Sequence, residues 1–227
     1  MNRSIWIVLL LLVLPLGCAR LPQILPANLP LEAIPPECAC DRIFPEGEWQ
    51  LLHAMEATAP GGRKQTILGL SQISSKKRAI HCVVMTLEGM VLFEADYDGT
   101  IDVRRAVPPF DKPGIAEGII EDLRLIFFSP GRPEIETGTL TKHERVCRYL
   151  LPGGDAEDIE IDSDRGWTIH KYNRRNRVVR TVRAESAPDE SAHGMPERIT
   201  LEAPGLTGYR LNLSLIEANP MTNQTKR

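Results

Sequence analysis

From Trp49 to Leu215 the apolar side chains recur mainly at every second position, and that period confines most of the chain to β-strands that bury one face. Trp49, Leu51, His53 and Met55 form one row; Ile67, Gly69, Ser71 and Ile73, with Leu68 and Leu70 between them, form the next. The runs Ile80 to Leu87 and Met90 to Tyr97 flank Glu88-Gly89, and Ile101 and Val103 follow Asp98-Gly99. Both Gly-containing pairs are hairpin signals, so these runs read as an antiparallel meander. Strands resume at Arg145 to Leu151, Ile159 to Asp162, Trp167 to Tyr172, Val178 to Ala184, Ile199 to Ala203 and Tyr209 to Leu215, with a turn at Asn173-Arg174-Arg175-Asn176. The expectation is about ten strands. A sheet of that size twists and curls, and its inner face needs a cover.

One segment breaks the alternation. After Asp111-Lys112-Pro113-Gly114, the residues Ile115, Ile119, Leu123, Ile126 and Phe127 recur at three- and four-residue spacing up to Ser129-Pro130. This predicts an amphipathic helix with one apolar face, able to cover part of the sheet. The fold class is therefore α+β, mainly β, a curved antiparallel sheet with one covering helix.

The first residues carry a different message. Arg3 precedes the short apolar run Ile5 to Leu14, and Leu14-Pro15-Leu16-Gly17-Cys18 resembles a lipobox, the cleavage site of a bacterial lipoprotein signal. A run of about 12 apolar residues is too short to span a hydrocarbon core that needs roughly 20. The reading is export, cleavage after residue 17 and acylation of Cys18. At about 0.8 kcal/mol per buried methylene, two or three acyl chains hold such a chain in a bilayer almost irreversibly. Ala19 and Arg20, with no Asp directly after the cysteine, match the outer-membrane sorting pattern of enteric bacteria.

Residues 18–45 contain Pro22, Pro26, Pro30, Pro35, Pro36 and Pro45 and no sustained periodicity, as a semi-rigid spacer would. Fully extended, it reaches roughly 80 Å at about 3.1 Å per residue; alternatively part of it packs on the domain, especially if Cys38 or Cys40 is bridged. The division read from the sequence is a signal peptide (1–17), lipidated cysteine and tether (18–45), sheet domain (46–217) and polar tail (218–227). Cys38, Cys40, Cys82 and Cys147 remain beside Cys18, an even number in a compartment that permits disulfides. Cys38 or Cys40 could bridge a strand cysteine; Cys82 and Cys147 could equally be buried thiols.

The order of these parts resembles the LolB-like outer-membrane lipoproteins: a lipobox, a Pro-rich tether, the meander Val83 to Gly99, an Ile/Leu helix, and the closing Pro196-Glu197-Arg198-Ile199 and Gly208-Tyr209-Arg210-Leu211-Asn212-Leu213. The nearest resemblance is to a LolB-like bacterial lipoprotein family, and it covers roughly residues 46–217. It implies a strongly curved half-barrel enclosing an apolar pocket for acyl chains. Residues expected to line it are Ile80, Val84, Val91, Phe93, Leu211 and Leu213 on the sheet and Ile119 and Leu123 on the helix, although plain burial would also explain each. The resemblance also implies a protruding loop with a membrane-entering leucine. The matching turn is Leu87-Glu88-Gly89-Met90, where Glu88 precedes the glycine, so the candidates are Leu87 and Met90.

Catalytic chemistry finds no support. His53, His81, His143, His170 and His193 are scattered, with no His-Glu-x-x-His or Gly-x-Ser-x-Gly pattern. No cofactor and no metal are expected. A net charge of −3 gives no basic surplus for nucleic acid. Two charge runs remain, Asp155, Glu157, Asp158, Glu160, Asp162 and Asp164, then Lys171, Arg174, Arg175, Arg177, Arg180 and Arg183. Their ordinary reading is solvated strand faces with weak cross-strand pairs; the sharper one is a basic patch for anionic headgroups or an acidic partner. Together these features lead to a non-enzymatic envelope lipoprotein, facing the periplasm from the outer membrane. Its expected partners are membrane lipid through Cys18, an acyl-chain or lipoprotein cargo, and a periplasmic carrier protein. The other class consistent with the sequence is an assembly or scaffold lipoprotein with a filled core.

Overall fold

The computed structural model describes residues 20–26, 40–131, 134–140, 145–162, 166–185, 195–205 and 208–221. Cys18, Cys38, His143, Asp164 and His193, together with the whole signal segment, lie outside them.

Among the described residues, twelve antiparallel strands form one sheet. They are β1 (Glu48–Thr58), β2 (Lys64–Ser74), β3 (Ala79–Met85), β4 (Val91–Tyr97), β5 (Ile101–Ala106), β6 (Glu134–Thr139), β7 (Arg145–Leu150), β8 (Ala156–Ile161), β9 (Trp167–Tyr172), β10 (Val178–Glu185), β11 (Arg198–Ala203) and β12 (Tyr209–Pro220). Their order is β5-β4-β3-β2-β1-β12-β11-β10-β9-β8-β7-β6, so two meanders are joined where the first strand meets the last. The expected count of about ten is corrected to twelve. The strand with no apolar period in the sequence is β6, whose Glu-Ile-Glu-Thr-Gly-Thr carries only one large apolar residue. As an edge strand it packs little and needs no apolar row.

The turns form where their residue types predicted. Gly89 and Gly99 adopt φ of +87° and +114°, and Asn176 adopts +57°. Asn173 Oδ1 accepts from the Arg175 and Arg177 amides at 3.0 and 3.1 Å, which closes the β9–β10 hairpin.

The helix α1 (Ile115–Phe127) starts from Gly114, whose φ of +83° turns the chain out of the preceding loop. Its contacts show how far the sheet curls. Arg124 lies 5.1 Å over the ring of Tyr97 on β4, while Glu121, one turn away, bonds Lys171 on β9. In a flat sheet those strands, seven positions apart, would stand about 33 Å from each other at the usual 4.7–4.9 Å spacing. A helix is only about 10–12 Å across, so the sheet must wrap around it. This differs from a helix laid on a sheet by one apolar stripe. Ile120, Asp122, Leu125, Ile126 and Phe127 are all buried, and most of the circumference of α1 touches protein.

The N-terminal segment is docked at two points. Leu25 and Thr139 exchange a pair of 2.9 Å backbone hydrogen bonds, which places residues 20–26 against the open edge of β6. Further on, Cys40 forms a disulfide with Cys147 of β7, at a sequence separation of 107. Cys82 is a free, buried thiol. Of the alternatives left open by the sequence, bridging applies to Cys40 and Cys147 and burial to Cys82.

Candidate functional site

The strand registers place Leu51, Ile67, Ile73, Ile80, Val84 and Phe93 in one inward layer on the β1–β4 side, and Ile159, Ile169, Val182, Leu201 and Leu213 in the matching layer on the other. All are buried and belong to a single core cluster. The concave wall is therefore a continuous apolar surface, and α1 occupies the space it encloses with Ile120, Ile126 and Phe127.

Of the residues expected to line a pocket, Ile80, Val84, Phe93 and Leu213 sit buried on this wall. Leu211, Ile119 and Leu123 are partly buried and packed against it. Val91 stands apart: a bulge between Val84 and Met85 sets Phe93 opposite Val84 and Val91 opposite Met85. Leu87 and Met90 project from the β3–β4 turn with relative exposures of 59% and 57%.

The space between wall and helix is small. A cavity of about 100 Å³ lies at the C-terminal end of α1, lined by Leu51, His53, Phe127, Trp167, Ile199 and Leu215 among others. Pockets for drug-sized ligands run about 300–1,000 Å³, so this cavity is too small to hold one as it stands. His53 is 4% exposed, and burial alone pushes its pKa down to about 4, so the imidazole is neutral at neutral pH. A second opening of about 350 Å³ runs along the solvent side of α1, between Tyr97 and Ile101 on one bank and Glu157 and Lys171 on the other.

On its β8–β12 side α1 is held by polar contacts as well as by the apolar core. Asp122 Oδ1 accepts from Arg180 Nε at 2.8 Å, the Tyr209 hydroxyl donates to Asp122 Oδ2, and the Arg180 guanidinium stacks 5.5 Å from the Tyr209 ring centre. Beside this triad, Lys171 Nζ reaches Glu121 at 2.5 Å and Glu157 at 3.8 Å. Burial pushes the Asp122 and Glu157 carboxyls above their usual range despite these cationic neighbours. Burial also raises the Tyr209 phenol, with Asp122 adding to the effect. The arrangement positions the helix against the sheet. It offers no nucleophile paired with a base.

This latch was hidden inside the two charge runs. Lys171 and Arg180 point inward to the helix, whereas Arg174, Arg175 and Arg177 are exposed in the β9–β10 turn and Arg183 faces Glu202 at 3.8 Å. The solvated-face reading is thus corrected for Glu157 and Asp158, both buried. Asp158 bonds Arg148 through two 2.7 Å contacts on the outer side of the sheet. A strand-period check would have found the inward pair, because Arg180 lies in the same row as Val182 and Ala184.

No protein-family model matches the chain, and no curated protein matches it. Solved structures do. A LolA superfamily protein from Nitrosomonas europaea superposes with a TM-score of 0.59 at 13% identity, covering 84% of this chain and 95% of that one. The fold is LolA-like. A domain from Vibrio parahaemolyticus, described as an outer membrane lipoprotein-sorting protein, superposes with a TM-score of 0.51 at 8% identity, over 84% of this chain and 93% of that one. At such identities the likeness concerns the path of the backbone, an open antiparallel sheet wrapped around helix.

Proposed function

We propose that this LolA-like domain is a non-catalytic envelope lipoprotein, acylated at Cys18, that shelters an acyl chain of a lipid or lipoprotein between the concave sheet and α1. The observation that carries this reading is the continuous apolar wall whose interior is filled by a helix held on one flank by polar contacts. In this mechanism α1 swings outward, the Asp122 and Glu121 contacts break, and the cargo chain replaces Ile120, Ile126 and Phe127 against the wall. Apolar surface is exchanged for apolar surface, so the wall is never left to water. The cargo needs such a shelter because exposing a chain of about 16 carbons costs on the order of 12 kcal/mol.

The lipobox-like segment and the lipoprotein-sorting description of the Vibrio neighbour support an outer-membrane, periplasm-facing place for it. Leu87 and Met90, exposed at one turn, are the groups for contact with a membrane or with the carrier that delivers cargo. The test uses the soluble domain, with Cys18 replaced by Ala, and a fluorescent fatty acid. Saturable uptake that increases in the Asp122→Asn variant supports the reading; no uptake by either protein refutes it.

One observation favours a second reading. The cavity between wall and helix end holds only about 100 Å³, as a filled-core scaffold that binds proteins through its surface would have it. Failure of uptake in a protein with native stability selects that alternative.

A further inference from the structure

The segment that leads from Cys18 into the domain is received by a built site. Besides the backbone pair between Leu25 and Thr139, the Pro22 carbonyl accepts a 2.9 Å bond from Arg148 Nη2. That guanidinium is fixed. Its side chain is 6% exposed and is clamped to the fully buried Asp158 carboxylate. The sheet leaves room for the segment at Gly138, where any side chain would collide with the Leu25 carbonyl and with the Ile24 side chain. On the same strand pair, the chain is fixed again by the Cys40–Cys147 disulfide. Residues 20–26 are thus held by backbone, side-chain and steric complementarity, unlike a free spacer.

Arg20 is only two residues from Cys18, a reach of about 7 Å in extended chain. From this we infer that the domain is not suspended on a long tether but seated on the bilayer through the flank formed by residues 20–26, β6 and β7, with the membrane surface as the partner of that flank. The inference rests on the acylation of Cys18 put forward above. Arg20 and the 49%-exposed Leu25 are the groups this seating presents to headgroups and interface. The site also leaves β6 with a covered edge at Thr139, where a bare edge would invite pairing with another chain.

The experiment uses the full lipidated protein in liposomes of phosphatidylethanolamine and phosphatidylglycerol, with a photoreactive residue replacing Glu136 on β6 or, separately, Arg104 on the opposite edge strand β5. The two side chains are similarly exposed, at 52% and 56%. The expected result is several-fold more lipid adduct at position 136 than at 104, falling to parity when Gly138→Ala displaces the segment. Equal labelling in the parent protein overturns the seating. Amide exchange at Leu25 and Thr139, slow in the parent and fast in Gly138→Ala, reads the docking itself; fast exchange in the parent also overturns it. Failure of the protein to float with liposomes would instead refute acylation of Cys18, and with docking still seen by exchange the two failures are distinguished.

Discussion

Acid should loosen this domain through His53 before it protonates ordinary carboxylates. The imidazole is buried against Phe127, with ring centres 6.3 Å apart, and its pKa falls from 6.5 to about 4. The depressed native pKa means that the unfolded chain binds the proton more readily. Stability from this group is therefore complete above pH 6.5 and is lost as pH falls towards 4. Linkage puts the loss at about 2 kcal/mol at pH 5 and about 3 kcal/mol at pH 4. Asp122 and Glu157 act in the opposite sense, since their raised native pKa values favour the folded state as they protonate. The comparison that isolates His53 is thus between the parent and His53→Gln, each unfolded in urea at pH 7.5, 6, 5 and 4 as the soluble Cys18→Ala domain. The stability gap between them should shift by about 2 kcal/mol in favour of the variant between pH 7.5 and 5. A gap that stays constant with pH would refute the claim that this histidine is buried neutral beside α1.

Two further outcomes follow from the contacts that hold the fold. Asp122→Ala leaves Arg180 without its buried partner and should destabilise the domain by about 3 kcal/mol in urea unfolding, whereas a solvated ion pair would give less than about 1 kcal/mol. Cys147→Ala removes a cross-link between residues 107 apart and should cost about 4 kcal/mol. Reductant should lower the parent by a similar amount and leave the variant unchanged; an equal response of both proteins would contradict a stabilising disulfide.

Much of the architecture could be read from the period of the apolar residues. The meander, the Gly89, Gly99 and Asn173 turns and the helix after Gly114 all follow from local chemistry, and each forms where its residues called for it. What local chemistry does not encode is closure. Nothing near Asp122 in sequence signals that the curl of the sheet will bury it against Arg180 and Tyr209, 58 and 87 residues away. The same holds for Asp158, which looks like a solvated member of an acidic run until Arg148 closes over it. β6 carries no apolar period because an edge strand is stabilised by its ladder more than by burial. The site is legible as an apolar wall from Ile80, Val84, Phe93 and Leu213, and strand period places Lys171 and Arg180 on its inner face, but their pairing with Glu121 and Asp122 depends on long-range geometry.

The central claim is that the wall receives an acyl chain. Native mass spectrometry with lipid extraction, applied to the soluble domain purified from the periplasm, tests it most directly. The account predicts bound fatty acid, phospholipid or lipopeptide in the parent protein, and its loss when Ile119 or Leu123 on α1 is changed to Asp with the fold retained. A folded, lipid-free protein that also fails to take up added fatty acid would contradict it.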